Sequence, residues 1–180
     1  HIPEMLPYVS STGSPMYYSA RIIKEKYPDA KQVFIGPCIA KRKEAKENPD
    51  VDFVMTFEEL GSVLSGYGIE FEKVEPYSVA QASVREAHGF AQTGGVAGAV
   101  KAYLGEDVNS LKVAGFDKKS IALLKSYAKM KKAPATFVEV MACPEGCISG
   151  PCTYNDSVSG KKQLNDELGV IDDTYETRRK

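Results

Sequence analysis

"VEVMACPEGCISGPC", residues 138–152, runs from an apolar, β-branched stretch straight into a loop that carries three of the chain's four cysteines. The wider segment "TFVEVMAC" (136–143) has the composition of a short strand buried in a sheet. The fourth cysteine, Cys38, stands two residues after "QVFIG" (32–36), a run of the same kind. Two strands that each end in a cysteine-bearing loop point to an α/β fold, in which sites form on the loops leaving the C-terminal ends of strands. If those two strands are neighbours in one sheet, Cys38 and Cys143 come to contact distance despite their separation in sequence.

The rest of the chain supplies alternating elements. Ser14 followed by Pro15 is a helix start, the hydroxyl capping free N–H groups and proline presetting φ. Met16, Ala20, Ile23 and Tyr27 fall on one face of that helix, which "YPD" (27–29) ends. "KQVFIG" (31–36) and "VDFVMTF" (51–57) read as buried strands, with a short exposed helix in "PCIAKRKEAKEN" (37–48) between them. Thr56 and Glu59 make a capping box for a helix lined by Leu60, Val63, Leu64 and Tyr67. "FEKVEPY" (71–77) is expected as an edge strand, and 78–92 as irregular. "TGGVAGAVKAYLG" (93–105) reads as a glycine turn opening into a helix, "SLKVAGF" (110–116) as a strand, and Asp117 as the cap of a helix carrying Ile121, Leu124, Tyr127 and Ala128. The expectation is a mainly parallel sheet with helices on both faces, one domain over 1–154, and a polar tail over 155–180 with a faint helical signal at Gln163–Leu168.

At 180 residues and 43% apolar, the chain can bury a core. Twenty-three Lys and Arg against 24 Asp and Glu leave a formal charge of -1 without a basic block, which argues against nucleic acid as a partner. No apolar run reaches the length of a membrane span and no leader opens the sequence, so a cytoplasmic protein is expected. The chain begins without Met and is read as a piece of something longer.

Four cysteines in that setting favour metal over a disulfide framework. The spacing Cys143-x3-Cys147-x4-Cys152, with Gly146 and Gly150 between, lets a loop turn several thiolates to one point, as an iron–sulfur cluster requires. Zinc competes, although its ligands come in close pairs and Cys38 has no close partner; a free cysteine can also be simply a small buried hydrophobe.

"FIGPCIAKRKEA" (34–45) and "VEVMACPEGCISGPC" closely resemble the second and third signature motifs of the catalytic domain in the large subunit of iron-only ([FeFe]) hydrogenases. "IPEMLPYVSSTGSPM" (2–16) is similar to the segment after that family's first motif, and "AQTGGVAGAV" (91–100) to its Thr-Gly-Gly helix start. The resemblance implies one lobe of the hydrogenase catalytic domain. It implies Cys38, Cys143 and Cys147 as ligands of a 4Fe-4S cluster linked to a two-iron subcluster, with Cys152, where the family has glycine, as an additional thiol. By the same resemblance Lys41 donates to a cyanide ligand on the iron, as a compact ammonium can. Met141 packs against the two-iron unit, Ser10 lies on a proton relay, and Thr93, Gly94 and Gly95 bring a helix N-terminus to the cluster. Each also has an ordinary reading: solvated charge for Lys41, core packing for Met141, a turn for Ser10.

The first motif, with a further cluster ligand, is expected upstream of Ile2. Gly36 stands where many members have methionine, and Met16 where many have glutamine. The implied function is the C-terminal part of a hydrogenase domain that interconverts protons and hydrogen, supplied with electrons by an electron-transfer protein or a fused ferredoxin-like domain. The alternative is an iron–sulfur module that senses hydrogen or redox state. Without its first motif the piece is expected to be inactive by itself, and after handling in air to hold no cluster.

Overall fold

The computed structural model describes residues 2–77 and 83–179. The chain divides into two compact units, one formed by residues 10–77 with 150–154, the other by 2–9, 83–149 and 155–179.

The first unit runs α1 (Pro15–Lys26), β1 (Val33–Gly36), α2 (Lys41–Glu47), β2 (Phe53–Thr56) and α3 (Phe57–Gly66). Ser14 caps α1 by accepting the Tyr17 N–H, with Pro15 in the first turn. Met16 and Ala20 on α1 pack with Val51 as the buried core, against Phe34, Ala45 and Val54, while Ile23 and Tyr27 on the expected face stay exposed. β1 and β2 pair in parallel, Val33 opposite Phe53. Asp52 sets that register: its carboxylate accepts the Gln32 N–H at 2.9 Å and the Lys31 ammonium at 2.8 Å. Both halves of the Thr56–Glu59 capping box form at the start of α3.

The second unit contains α4 (Arg85–His88), α5 (Gly95–Leu104), β3 (Ser110–Ala114), α6 (Lys118–Met130), β4 (Phe137–Met141), α7 (Ser157–Gly169) and α8 (Tyr175–Arg178). β3 and β4 pair in parallel with Ala114 opposite Met141. Their hydrogen bonding continues past the strands, from Gly115 N–H to Met141 O at 2.9 Å and from Phe116 N–H to Ala142 O at 3.2 Å. The backbone is thereby held up to the residue before Cys143. Asp117 and Ser120 cap α6 reciprocally.

The parallel pairing matches the expectation; its extent differs. Among the described residues the strands form two separate two-stranded sheets, β1–β2 and β3–β4, so the strand before Cys38 and the strand before Cys143 are not neighbours in one sheet. Each pair is a single strand–helix–strand crossover of consecutive elements, the most local way to satisfy a parallel edge. Apolar patterning identifies a strand without naming its partner. The segment 71–77 is no strand: it holds a 3-10 turn at Phe71–Lys73, and Phe71, Val74 and Tyr77 are all exposed, leaving no buried face to direct pairing. Of the span 78–92 read as irregular, 78–82 lies outside the described residues; the remainder contains α4 and a 3-10 turn at Gly89–Ala91. Residues 155–179 belong to the second unit, and α7 is longer than the faint signal at Gln163–Leu168 because Asp156 caps it by accepting the Val158 and Ser159 N–H groups.

Candidate functional site

The cysteines divide evenly, Cys38 and Cys152 in the first unit, Cys143 and Cys147 in the second. In the first unit β1 ends at Gly36 and Pro37 carries the chain out to Cys38, which is half-buried just ahead of α2. Cys152 is buried, 8% exposed. Its backbone N–H donates to the Pro37 carbonyl at 3.3 Å, so the 150–154 segment lies along the exit of β1. The Tyr154 hydroxyl donates to the Glu58 carbonyl at 3.3 Å and fixes the far end of that segment on α3.

Lys41, the first residue of α2, directs its ammonium to Glu44, which also accepts from the Ser14 hydroxyl. Burial pushes the Glu44 carboxyl up, but hydrogen bonds from Lys41 and Ser14 and the Lys41 charge outweigh it and hold the group below the ordinary glutamate range. Next along, Arg42 pairs with Glu59. The hydrogen bond to Glu59 and that carboxylate's charge raise the guanidinium above its ordinary value against a small desolvation, and Cys152 adds to the rise. Ser10 is exposed, and its hydroxyl accepts the Thr12 N–H at 3.1 Å. Met16 is a core residue of this unit, and a side chain at Gly36 would meet the Phe34 ring.

In the second unit Cys143 is half-buried and Cys147 exposed, opening a 3-10 turn at Cys147–Ser149. The loop between them is built around Gly146, whose φ of 88° lies in the left-handed region and whose N–H donates to the Cys143 carbonyl at 3.1 Å. Thr93 clasps the same loop, its N–H on the Glu145 carbonyl at 3.0 Å and its hydroxyl on the Pro144 carbonyl at 3.3 Å. The approach is close: a Cβ on Gly146 would stand 2.7 Å from the Thr93 nitrogen and 2.8 Å from the Ala91 oxygen. Met141, half-buried, ends β4 two residues before Cys143.

Of Thr93, Gly94 and Gly95, it is Thr93 that meets the cysteine loop, and Gly95 gives its N–H to the Gln92 carbonyl at 3.0 Å. Gly94 and Ala97 give their N–H groups to the two carboxylate oxygens of Glu139, a residue only 4% exposed on β4. Glu139 is the structural residue missed in the sequence; its signal was a lone carboxylate at an alternating position of an otherwise apolar strand.

Soft thiolates flanked by glycine turns are suitable donors for an iron–sulfur cluster. Each unit by itself supplies two, half of what a cubane takes, and among the described residues no group of three or more His, Cys, Asp or Glu side chains is gathered so as to hold a metal ion. No described helix is long and apolar enough to cross a membrane.

The chain is 30% identical, over 83% of its length, to the periplasmic [Fe] hydrogenase large subunit of Nitratidesulfovibrio vulgaris, of which the match covers 47%. It is 26% identical, over 97% of its length, to the cytosolic Fe-S cluster assembly factor narfl of Xenopus tropicalis, again over 47% of that protein. It thus spans about half the length of these relatives. The fold matches a solved [FeFe]-hydrogenase HydA1 variant from Chlamydomonas reinhardtii with a TM-score of 0.69 at 18% identity, covering 96% of this chain and 63% of that one. A family model described as iron only hydrogenase large subunit, C-terminal domain, matches residues 1–151. With that match across most of its length, the chain belongs to the family formed by the C-terminal domains of iron-only hydrogenase large subunits.

Proposed function

We infer that this chain is the part of an iron-only hydrogenase domain that holds an iron–sulfur active cluster, with Cys38, Cys143 and Cys147 as its ligands and the reversible reduction of protons to hydrogen as the reaction. The observation that carries this reading is the loop from Cys143 to Cys147, turned at Gly146 and clasped by Thr93 directly beyond the β3–β4 ladder. Hydrogen bonds from Thr93 and the turn at Gly146 support the backbone between the two thiols, as a preorganised ligand set requires. When bound, a 4Fe-4S cluster linked to a two-iron subcluster supplies the electron storage and hydrogen chemistry. The chain's own contribution is positional. Pro37 and the Cys152–Pro37 hydrogen bond hold the backbone at Cys38. Glu44 orients the Lys41 ammonium as a charged donor, and the Ser10 hydroxyl is an exposed group able to pass a proton. Electrons come from an electron-transfer protein or a fused ferredoxin-like domain.

The test is anaerobic reconstitution with ferrous iron and sulfide. Wild type is expected to take up iron and inorganic sulfide together, and Cys38→Ser, Cys143→Ser and Cys147→Ser each to lose most of both. Iron content unchanged in all three variants would overturn the ligand assignment. Hydrogen evolution from a reduced dye, measured on the longer protein carrying its first motif, then reads the reaction itself.

A second reading is an iron–sulfur module without fast turnover, acting as a sensor or in cluster handling. It is favoured by the narfl relative, whose match takes in 97% of this chain against 83% for the Nitratidesulfovibrio hydrogenase. A full iron complement with background hydrogen evolution would select it.

A further inference from the structure

Cys152 is surplus to the three-cysteine ligand set, yet the first unit places it with care. Its N–H donates to the Pro37 carbonyl at 3.3 Å, and that oxygen shares a planar peptide with the Cα of Cys38. With standard backbone dimensions the two cysteine Cα atoms then lie within about 7 Å of each other. Disulfides span Cα separations of about 4.4–6.8 Å, so side-chain rotation and a small shift of the 150–154 segment suffice for bonding. That segment is folded on itself around the thiol by the Thr153 N–H on the Gly150 carbonyl, and the Tyr154 hydroxyl on Glu58 ties it to α3. The Arg42 guanidinium, already paired with Glu59, is close enough for its charge to interact with Cys152. Exposure divides the roles: Cys38 is half-buried and reachable, Cys152 is 8% exposed.

We propose that Cys38 and Cys152 are a redox pair that closes into a reversible intramolecular disulfide when no iron is bound. The oxidant is a low-molecular-weight disulfide. The Cys38 thiolate attacks one of its sulfurs, the reagent's S–S bond breaks, and the first small thiol leaves with a proton, giving a mixed disulfide on Cys38. The Cys152 thiolate then attacks the Cys38 sulfur and expels the second small thiol with a proton. Two protein thiols lose two electrons and two protons, and one small disulfide becomes two thiols. A small thiol in excess reverses both steps. The consequence, that oxidation withholds Cys38 from iron, rests on the ligand role proposed above for Cys38.

The experiment takes the metal-free, reduced 180-residue chain, incubates it anaerobically with oxidised glutathione, counts remaining thiols and maps cross-linked peptides by mass spectrometry. Two of the four thiols should disappear and one peptide pair should be joined through Cys38 and Cys152, absent from both Cys38→Ser and Cys152→Ser. A pair joined through Cys143 and Cys147 alone, glutathione retained on Cys38 without a joined pair, or four thiols still reactive would each overturn the proposal. In a second arm, oxidised and reduced samples receive ferrous iron and sulfide. At least fivefold lower iron uptake by the oxidised sample, restored by dithiothreitol, supports the coupling. A joined peptide with equal iron uptake would leave the disulfide standing and remove Cys38 from the ligand set.

Discussion

The Glu139 carboxylate, buried on β4, accepts the backbone N–H of Ala97 at 2.8 Å and so binds the strand that leads to Cys143 to the first turn of α5. Its other oxygen takes the Gly94 N–H, and the two bonds together replace the solvent that a helix N-terminus otherwise needs. A carboxylate also complements the partial positive charge of that helix end. Glu139→Ala leaves both donors unsatisfied in a closed site and is expected to cost about 2–4 kcal/mol of folding stability, measured by urea unfolding. Glu139→Gln keeps one acceptor and should recover about half of that loss. Equal stability of wild type and Glu139→Ala would show that water replaces the carboxylate freely.

The pair formed by Lys41 and Glu44 makes a prediction about pH. Burial raises the Glu44 carboxyl, hydrogen bonds from Lys41 and Ser14 lower it further, and the net position is below the ordinary value of 4.5. A carboxyl lowered in the folded state binds its proton more weakly there than in the unfolded chain, so its contribution is complete above the ordinary value and fades as pH falls through the lowered one. Glu44→Gln should therefore be less stable than wild type at pH 7 by about 0.5–1.5 kcal/mol, both side chains being only partly exposed. The gap should narrow as pH drops below 4.5. A gap that is constant with pH would mean that shape, not charge, makes the contribution.

These two carboxylates mark the limit of what was legible in the sequence. Helix caps were readable because a cap is a local event: Ser14, Thr56 and Asp117 each accept from a backbone N–H three residues on. Strands were readable from apolar runs, and the cysteine loops from spacing. What was not readable depends on partners distant in the chain. Nothing in "FVEVM" says that Glu139 faces a helix start more than forty residues upstream, and nothing in two apolar runs says that β1 pairs with β2 and not with β4. The division of "CPEGCISGPC" between two units, after Ser149, is likewise a tertiary fact without a local composition break.

Gly146 tests whether the cysteine loop is as closely fitted as it looks. Its φ of 88° penalises any side chain by about 1–2 kcal/mol, and a Cβ would meet the backbone of Thr93 and Ala91, which cannot swing aside as a side chain can. Gly146→Ala is expected to lower stability by about 2–4 kcal/mol and to reduce iron uptake on reconstitution, because the Cys143–Cys147 geometry is lost with the turn. Gly98→Ala is the control: that position is exposed in the interior of α5 with nothing near its Cβ, so the same change should stabilise by about 0.5–1 kcal/mol and leave iron uptake alone.

Tyr154 and Gly61 offer a way to loosen the segment that carries Cys152 without touching a cysteine. The Tyr154 ring lies over Gly61 in the interior of α3, and a Cβ there would strike the phenol. Two effects then oppose each other in Gly61→Ala: helix propensity gains about 0.5–1 kcal/mol, and displacement of the ring costs a comparable amount. The phenol is the flexible end of an exposed side chain, so it can move, and the single variant should be near neutral in urea unfolding. In a Tyr154→Ala background the clash is gone and Gly61→Ala should recover its full helix gain, a coupling of about 0.5–1 kcal/mol between the two sites. The ring that moves also takes its hydroxyl off the Glu58 carbonyl, so Gly61→Ala should slow formation of the Cys38–Cys152 bond several-fold at nearly unchanged stability. Additive stabilities with an unchanged bonding rate would show that the Pro37 hydrogen bond alone positions Cys152.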